Sequence, residues 1–450
     1  MSTSSESLLT GWGRTAPSRA HLLDATPEVI AAAFADPGPR GLIARGLGRS
    51  YGDAAQNAGG RVLMMEGLAS VHDVDIESGV VRLDAGVSIE TLVRSLLPLG
   101  LFPPVTPGTW FVTIGGAIAA DVHGKNHHRD GSFCDHVLSL DLVTPSGERV
   151  TVKPGDERFE ATAGGMGLTG VIVEATIRML KVPNPFMTVD RERASDLDDV
   201  MARMSERDDD YRYSVAWIDC LARGASLGRS VLIRGDHGEN SSNGRHPGSA
   251  HGTLGGGLPL AAPAWTPGGL LRRSTIRAFN EAYYRAAPRR ESGRIEGVRE
   301  FFYPLDAVAG WNRIYGPSGF LQYQLVVPFG REDALRESLE RLSGAGAPSF
   351  LAVLKRFGAQ RTGMISFPME GWTLALDIPA AVPGLAPLLD GLDEVVAEAG
   401  GRVYLAKDSR LGPDALAAMY PRLGDWRAAR ERIDPAGVMR SDLARRLELA

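Results

Sequence analysis

The stretch RGLGRSYGDAAQNAGG, Arg45 to Gly60, decides how the rest of the chain is read. Its glycines at 46, 48 and 52 make it a candidate phosphate loop. A dinucleotide fingerprint needs G-x-G-x-x-G between a strand and a helix, so that the pyrophosphate sits on the helix N-terminus. Gly46 and Gly48 fit the first two positions, but Tyr51 stands at the third. The following DAAQNAGG is a poor helix and leads into RVLMME, which reads as a strand. A second stretch, GMGLTG (Gly165 to Gly170), matches the letters but precedes VIVEATIRML, where Val171, Val173, Ala175, Ile177 and Met179 alternate as in a strand. Neither stretch is a Rossmann turn. The first can still hold a pyrophosphate, because successive backbone N–H groups form an anion nest and glycine permits close approach. Taken alone, it reads equally well as a structural turn.

Composition narrows the class. At 450 residues the chain is long enough for two or three domains, and 44% hydrophobic with 23% charged residues is that of a globular protein. A net charge of −5 gives no sign of nucleic-acid binding. Cys134 and Cys220 are too few and too far apart for a disulfide framework or a thiolate metal site. The start, MSTSSESLLTGWGRTAPSRA, lacks a basic segment followed by an apolar one, and no run approaches the length of a membrane span. Residence in the cytoplasm or peripherally at the inner membrane is expected, with export alongside a partner as the alternative.

Downstream of the loop lies PGTWFVTIGGAIAADVHGKNHH, 107–128. Pro107-Gly108-Thr109 reads as a turn, and Thr113 to Gly116 as a glycine turn followed by a short helix of small residues, which lets a flat cofactor lie against the backbone. His123 and His127 are four apart, but a glycine intervenes and no carboxylate follows, so no metal site is read here.

These motifs, with GGMGLTG further on, resemble the vanillyl-alcohol-oxidase-type flavoproteins. LTGWGRTAPS, WNRIYGPSGFLQYQ, AKDSR and DPAGVMRSDLARRLEL carry the resemblance to both ends of the chain. It is strongest to the members that oxidise the ribose C2 hydroxyl of a decaprenylphosphoryl-ribose to the 2-keto sugar. A nicotinamide-dependent short-chain reductase then completes epimerisation to the arabinose used in cell-wall arabinan. The resemblance implies an α+β fold with a two-lobed architecture: an FAD-binding domain from 1–184 and 402–450, and a substrate domain with an antiparallel sheet at 185–401. It also implies FAD contacts from Arg45, Gly46, Leu47, Gly48, Arg49, Ser50, Tyr51, Gly52 and Asp53, from Gly108, Thr113, Ile114, Gly115 and Gly116, from Ala120, Asp121, Val122 and His123, and from Ile172 and Tyr404. Some relatives carry a flavin-linked histidine near Tyr51; tyrosine cannot form that link, so non-covalent FAD is expected.

For the chemistry, Lys407 in LAKDSR is the first choice for the charged group near flavin and sugar; its bland alternative is a surface lysine paired with Asp408. His123, Lys125 and Gln324 complete the candidate catalytic set. Gln322 and Gln324 share one strand face, as do Lys355 and Phe357 on another strand; with Trp217, Thr373 and Ala375 they are candidates for the substrate pocket. The family often carries a cysteine where Ala375 stands, which removes the thiol that some covalent inhibitors attack; alcohol oxidation needs no thiol there. The polar stretch 235–269 reads as a lid or disordered loop. LLRRSTIRAFNEAYYRAAPRRESGR, 270–294, reads as a basic amphipathic helix with Leu271, Ile276, Phe279 and Tyr283 on one stripe, suited to an anionic membrane surface or a phosphate. Two rival readings remain: an oxidase of small polyols or aldonolactones, and a flavoprotein that only scaffolds its reductase.

Overall fold

The computed structural model describes residues 5–238, 260–263 and 271–449. Three sheets carry the architecture. The first has four strands in the order Ser5–Leu9, Ser18–Asp24, Arg61–Met64 and Leu42–Arg45; the last three run parallel. The second has five antiparallel strands in the order Val71–Asp75, Val80–Asp84, Val171–Arg178, Val137–Val143 and Arg149–Val152. The third is an eight-stranded antiparallel sheet in the order Arg290–Gly297, Phe186–Ala194, Ser230–His237, Tyr213–Ile218, Ala352–Phe357, Gly371–Pro379, Phe320–Val327 and Arg402–Val403. The α+β fold with a large antiparallel sheet is therefore present.

The central strand Gly371–Pro379 is buried along its whole length, because neighbours pair with both edges and both faces are covered. Its near-continuous apolar run, WTLALDIP, is the sequence form of that position. The second sheet closes its own core around Val81, Leu83, Leu140, Leu142, Ala175 and Ile177. The carboxyl end returns to the first sheet: Leu42 bridges to Met439, and Arg446 pairs with Asp53 at 2.8 Å.

Three expectations are corrected. Residues 235–237 end the strand Ser230–His237 instead of opening a loop, and most of the remainder of 235–269 lies outside the described residues. Within it, Leu260–Ala261 pairs in parallel with Val308–Ala309. The basic stretch is not one helix. It splits into a helix, Arg273–Ala286, and an edge strand, Arg290–Gly297. Pro288 is the cause: it disfavours helical geometry at the residue before it, and Ala287 is extended. On the helix, Ile276 is buried, while Phe279 and Tyr283 are 44% and 39% exposed. Finally, Thr113 to Gly116 is the cap and first turn of the helix Ile114–Ala119, with Thr113 Oγ1 accepting from Gly116 N at 3.2 Å. Among the described residues no helix is long and apolar enough to cross a membrane.

Candidate active site

A cavity of about 550 Å³ runs from the loop after Arg45 to the face of the eight-stranded sheet. Its size is that of a cofactor or ligand site. At one end the backbone from Gly46 to Ser50 forms the wall. Among the described residues no acceptor meets the N–H groups of Leu47, Gly48, Arg49 and Ser50. Gly48 takes φ +64°, a left-handed conformation that favours glycine. Four unpaired donors on one turn make an anion nest. Beside it the wall is of small residues, Gly115, Gly116, Ala119, Ala120, Gly167 and Gly170, which leaves room for a flat ring against the backbone. These features fit a cofactor with a pyrophosphate and a planar tricycle.

At the other end the sheet contributes polar side chains. Gln322 and Gln324 both face the cavity, while Tyr323 turns to the opposite face and bonds Asp393 at 2.9 Å. Lys355 and Ala375 face it from the two adjacent strands, and Trp217 from a third. The segment Tyr404–Lys407 closes the site. Tyr404 donates its hydroxyl to Ala120 O (2.8 Å) and Tyr51 N donates to Ala406 O (3.0 Å), so the carboxyl-terminal segment is tied to both cofactor-side loops.

The hydrogen bonds around His123 fix its proton. Thr373 Oγ1 donates to Leu325 O (2.8 Å), so it must accept from Gln324 Nε2 (3.1 Å). The same amide nitrogen points its other hydrogen at His123 Nε2 (2.9 Å). His123 therefore carries its proton on Nδ1, which faces Lys355 Nζ at 3.1 Å. The amine must then accept, so Lys355 is uncharged in this arrangement. Burial supports that state. It pushes Lys355 down to about 7, with the charges of Lys407 and Lys125 adding to the effect, and holds His123 well below the usual imidazole range. Lys125 is likewise brought to about 7 by burial and donates to Phe301 O.

Lys407 is not a surface lysine. Its Nζ lies 4.0 Å from the Tyr51 ring centroid, a cation–π geometry. Burial lowers its pKa, and the Asp377 charge works the other way. Asp377 is itself raised by burial and accepts from Gln322 Nε2. Asp408, the partner of Lys407 in the bland alternative, is bound instead by Arg446 at 2.9 Å.

Seven expected contact residues sit one layer back. Arg45 turns its guanidinium to Ala55 O (2.9 Å) and Thr10 O (2.8 Å), bracing the loop from behind. Asp53 is taken by Arg446, and Gly52 packs on the backbone of Asp408. Ile114 is in the core of the second sheet. Asp121 accepts from Ser132 Oγ (2.9 Å) and Cys134 N (3.0 Å). Phe357 packs its ring 4.7 Å from His123, and Thr373 orients Gln324. The remaining expected residues, including Gly108, Thr113, Val122 and Ile172, line the cavity. Trp12, Met65, Phe111, Met166 and Trp311 also line it; they are single residues on loops and at the starts of short 3-10 turns, and no periodicity marks them.

Comparison with known proteins agrees with this geometry. The family model of the FAD binding domain matches residues 28–153, and that of D-arabinono-1,4-lactone oxidase matches residues 382–447. Decaprenylphosphoryl-beta-D-ribose oxidase of Mycolicibacterium smegmatis is 41% identical over 449 residues, covering 98% of this chain and 97% of that protein. An uncharacterized protein of Streptomyces coelicolor is 42% identical over 81% of this chain and 100% of its own length. Alditol oxidase of a Streptomyces species is 28% identical over 30% of this chain and 33% of its own. The cavity thus lies in an FAD-binding oxidoreductase, and the chain belongs to the decaprenylphosphoryl-β-D-ribose oxidase family.

Proposed function

We propose that this chain oxidises the ribose C2 hydroxyl of decaprenylphosphoryl-β-D-ribose to the 2-keto sugar with non-covalently held FAD, and hands the product to a nicotinamide-dependent reductase partner. The observation that carries the reading is the placement of His123, Gln324, Lys355 and Lys407 across one cavity from the unpaired N–H nest, in a chain that matches the M. smegmatis oxidase almost end to end.

Bound FAD would supply the hydride acceptor that no side chain can provide. The loop Gly46–Ser50 would hold its pyrophosphate, and Gly115, Gly116 and Ala120 its ring. The chain's own work is to bind, orient and move a proton. Gln322 and Gln324 present amides to the sugar hydroxyls. Gln324 is held in one orientation by Thr373, so it orients the substrate without rearranging. The uncharged Lys355 takes the hydroxyl proton as its lone pair turns from His123 Nδ1–H to the substrate. Lys407 brings positive charge to a partly buried cavity wall, where negative charge collects as the substrate is oxidised.

Anaerobic addition of a synthetic prenyl-phosphoribose is expected to bleach the yellow protein, while xylitol and gulonolactone leave it coloured. The match of residues 382–447 to a lactone oxidase favours a second reading, oxidation of a small polyol or aldonolactone. Bleaching by the small compounds alone would select it.

Tyr51 is buried, its phenol pushed up by that burial, and a phenol cannot form a histidyl flavin bond. Acid precipitation should leave a colourless pellet and a yellow supernatant. A yellow pellet would end the non-covalent assignment.

Lys355 gives a pH dependence with a definite sign. Below about 7 it carries its proton and cannot take another; above that pH it is free to. The rate of flavin reduction should rise through about pH 7 and level off above it. Lys355→Met should remove this step and slow reduction about 100-fold. Stopped-flow reduction across pH 5.5–9 checks both; an unchanged step in the variant would assign the proton to another group.

A further inference from the structure

We infer that Arg49 holds the phosphate of the prenyl-phosphate substrate, and that the aromatic wall around it receives the first isoprene units. The inference rests on the substrate class proposed above and assigns Arg49 away from the flavin pyrophosphate.

The Arg49 guanidinium lies 4.2 Å from the Trp12 ring centroid and 5.5 Å from that of Phe111. Among the described residues no carboxylate reaches within 4 Å of it, and its hydrogen bond goes to Leu47 O in its own loop. The acidic group of this wall that acts on its charge is Asp306, whose oxygens are engaged by Thr109 Oγ1 (2.8 Å) and Trp110 N (2.9 Å). Burial brings Asp306 up to about 6. A guanidinium half-buried in a cavity wall, with most donors unspent, is built for an oxyanion.

Its surroundings do not suit a flavin phosphate. Leu305, Val308 and Trp311 line the cavity beside Trp12 and Phe111, and Trp12 meets Trp311 edge-on at 5.9 Å. This is an apolar wall with one cation in it, the complement of a prenyl phosphate. The flavin pyrophosphate has the backbone nest to itself. The wall is also continuous with the reaction centre. Trp311 packs on Phe320 at 5.6 Å, Phe320 packs on Tyr51 at 5.5 Å, and Tyr51 carries Lys407 over its face. In the proposed substrate the phosphate is on C1 and the reacting hydroxyl on C2, so the anion site must adjoin the catalytic groups. The other amines of the cavity are engaged: Lys125 with Phe301 O, the uncharged Lys355 with His123, Lys407 with Tyr51.

Farnesyl phosphate is the probe, titrated into the oxidised holoenzyme and followed by the flavin difference spectrum, with farnesol as the uncharged control. Arg49→Met should weaken farnesyl phosphate about thirty-fold, leave farnesol unchanged, and keep its FAD; Arg49→Lys should recover part of the loss. Equal affinity of wild type and Arg49→Met for farnesyl phosphate would overturn the assignment. So would loss of FAD from both variants, which would return Arg49 to the pyrophosphate. If wild-type flavin is not reduced by prenyl-phosphoribose while farnesyl phosphate still binds through Arg49, the proposed reaction fails and the anion site stands.

Discussion

Lys407→Met should slow flavin reduction by about 1000-fold while the protein keeps its yellow colour. The size follows from burial. A charge held beside the reacting centre in a low-dielectric wall is poorly replaced when removed, and single preorganised groups of this kind are worth about 100- to 1000-fold. Lys407 is partly buried in the cavity wall, with its Nζ over Tyr51 and with Asp377 as the carboxylate acting on it. Methionine fills a similar volume, so the loss should be one of charge. Two readouts separate this from disturbed packing. The flavin midpoint potential should fall, because the reduced, negatively charged cofactor loses a cation of the cavity wall. The double variant Lys407→Met/Asp377→Asn should stay slow, because restoring neutrality around Asp377 does not return positive charge to the reaction centre. Recovery of the rate in the double variant would show that Lys407 serves only to balance Asp377.

The sequence revealed the elements that keep a period and the site residues that ride on them. The strand Phe320–Val327 alternates, so Gln322 and Gln324 could be assigned to one face before their surroundings were known. The glycine loop was legible because backbone approach leaves a mark in residue type. Residues that act through another were not separable from those at the surface of the cavity. Thr373 and Phe357 sit beside Gln324 and His123 on neighbouring strands, and a strand pattern does not say which of two inward residues reaches further. Arg45 and Arg49 stand four apart in the same loop and look alike in sequence. One braces the loop on carbonyls behind it, the other faces the cavity, and the difference lies in where Thr10 and Trp12 pass. Asp408 was similarly hidden: its partner Arg446 lies 38 positions further on in a separate helix.

Gly52→Ala should strip the protein of its flavin. A Cβ at residue 52 would lie 2.0 Å from Asp408 O and 2.9 Å from both Asp408 C and Ser409 Cα. Those are backbone atoms, so no side chain can rotate away. The Asp408 backbone is itself pinned: its carboxylate accepts from Arg410 N (3.0 Å) and Leu411 N (2.9 Å) and forms an ion pair with Arg446, which also grips Asp53. On the other side of the loop a Cβ at Gly11 would meet Gly52 O at 2.1 Å, so three backbones are stacked without space between them. The added methyl must force the Tyr51–Asp53 turn away from the Tyr404–Lys407 segment, at a cost of about 3 kcal/mol or more. That movement breaks the Tyr51 N to Ala406 O bond and separates the anion nest from Lys407. The control is Gly424→Ala, on the exposed side of the helix Leu423–Ile433 and outside the cavity, where a Cβ would meet nothing within 4 Å. Flavin content after purification and thermal stability with added FAD report the outcome. Gly424→Ala should stay yellow and Gly52→Ala should not; if both retain flavin equally, the close stacking of these three segments is not what holds the cofactor.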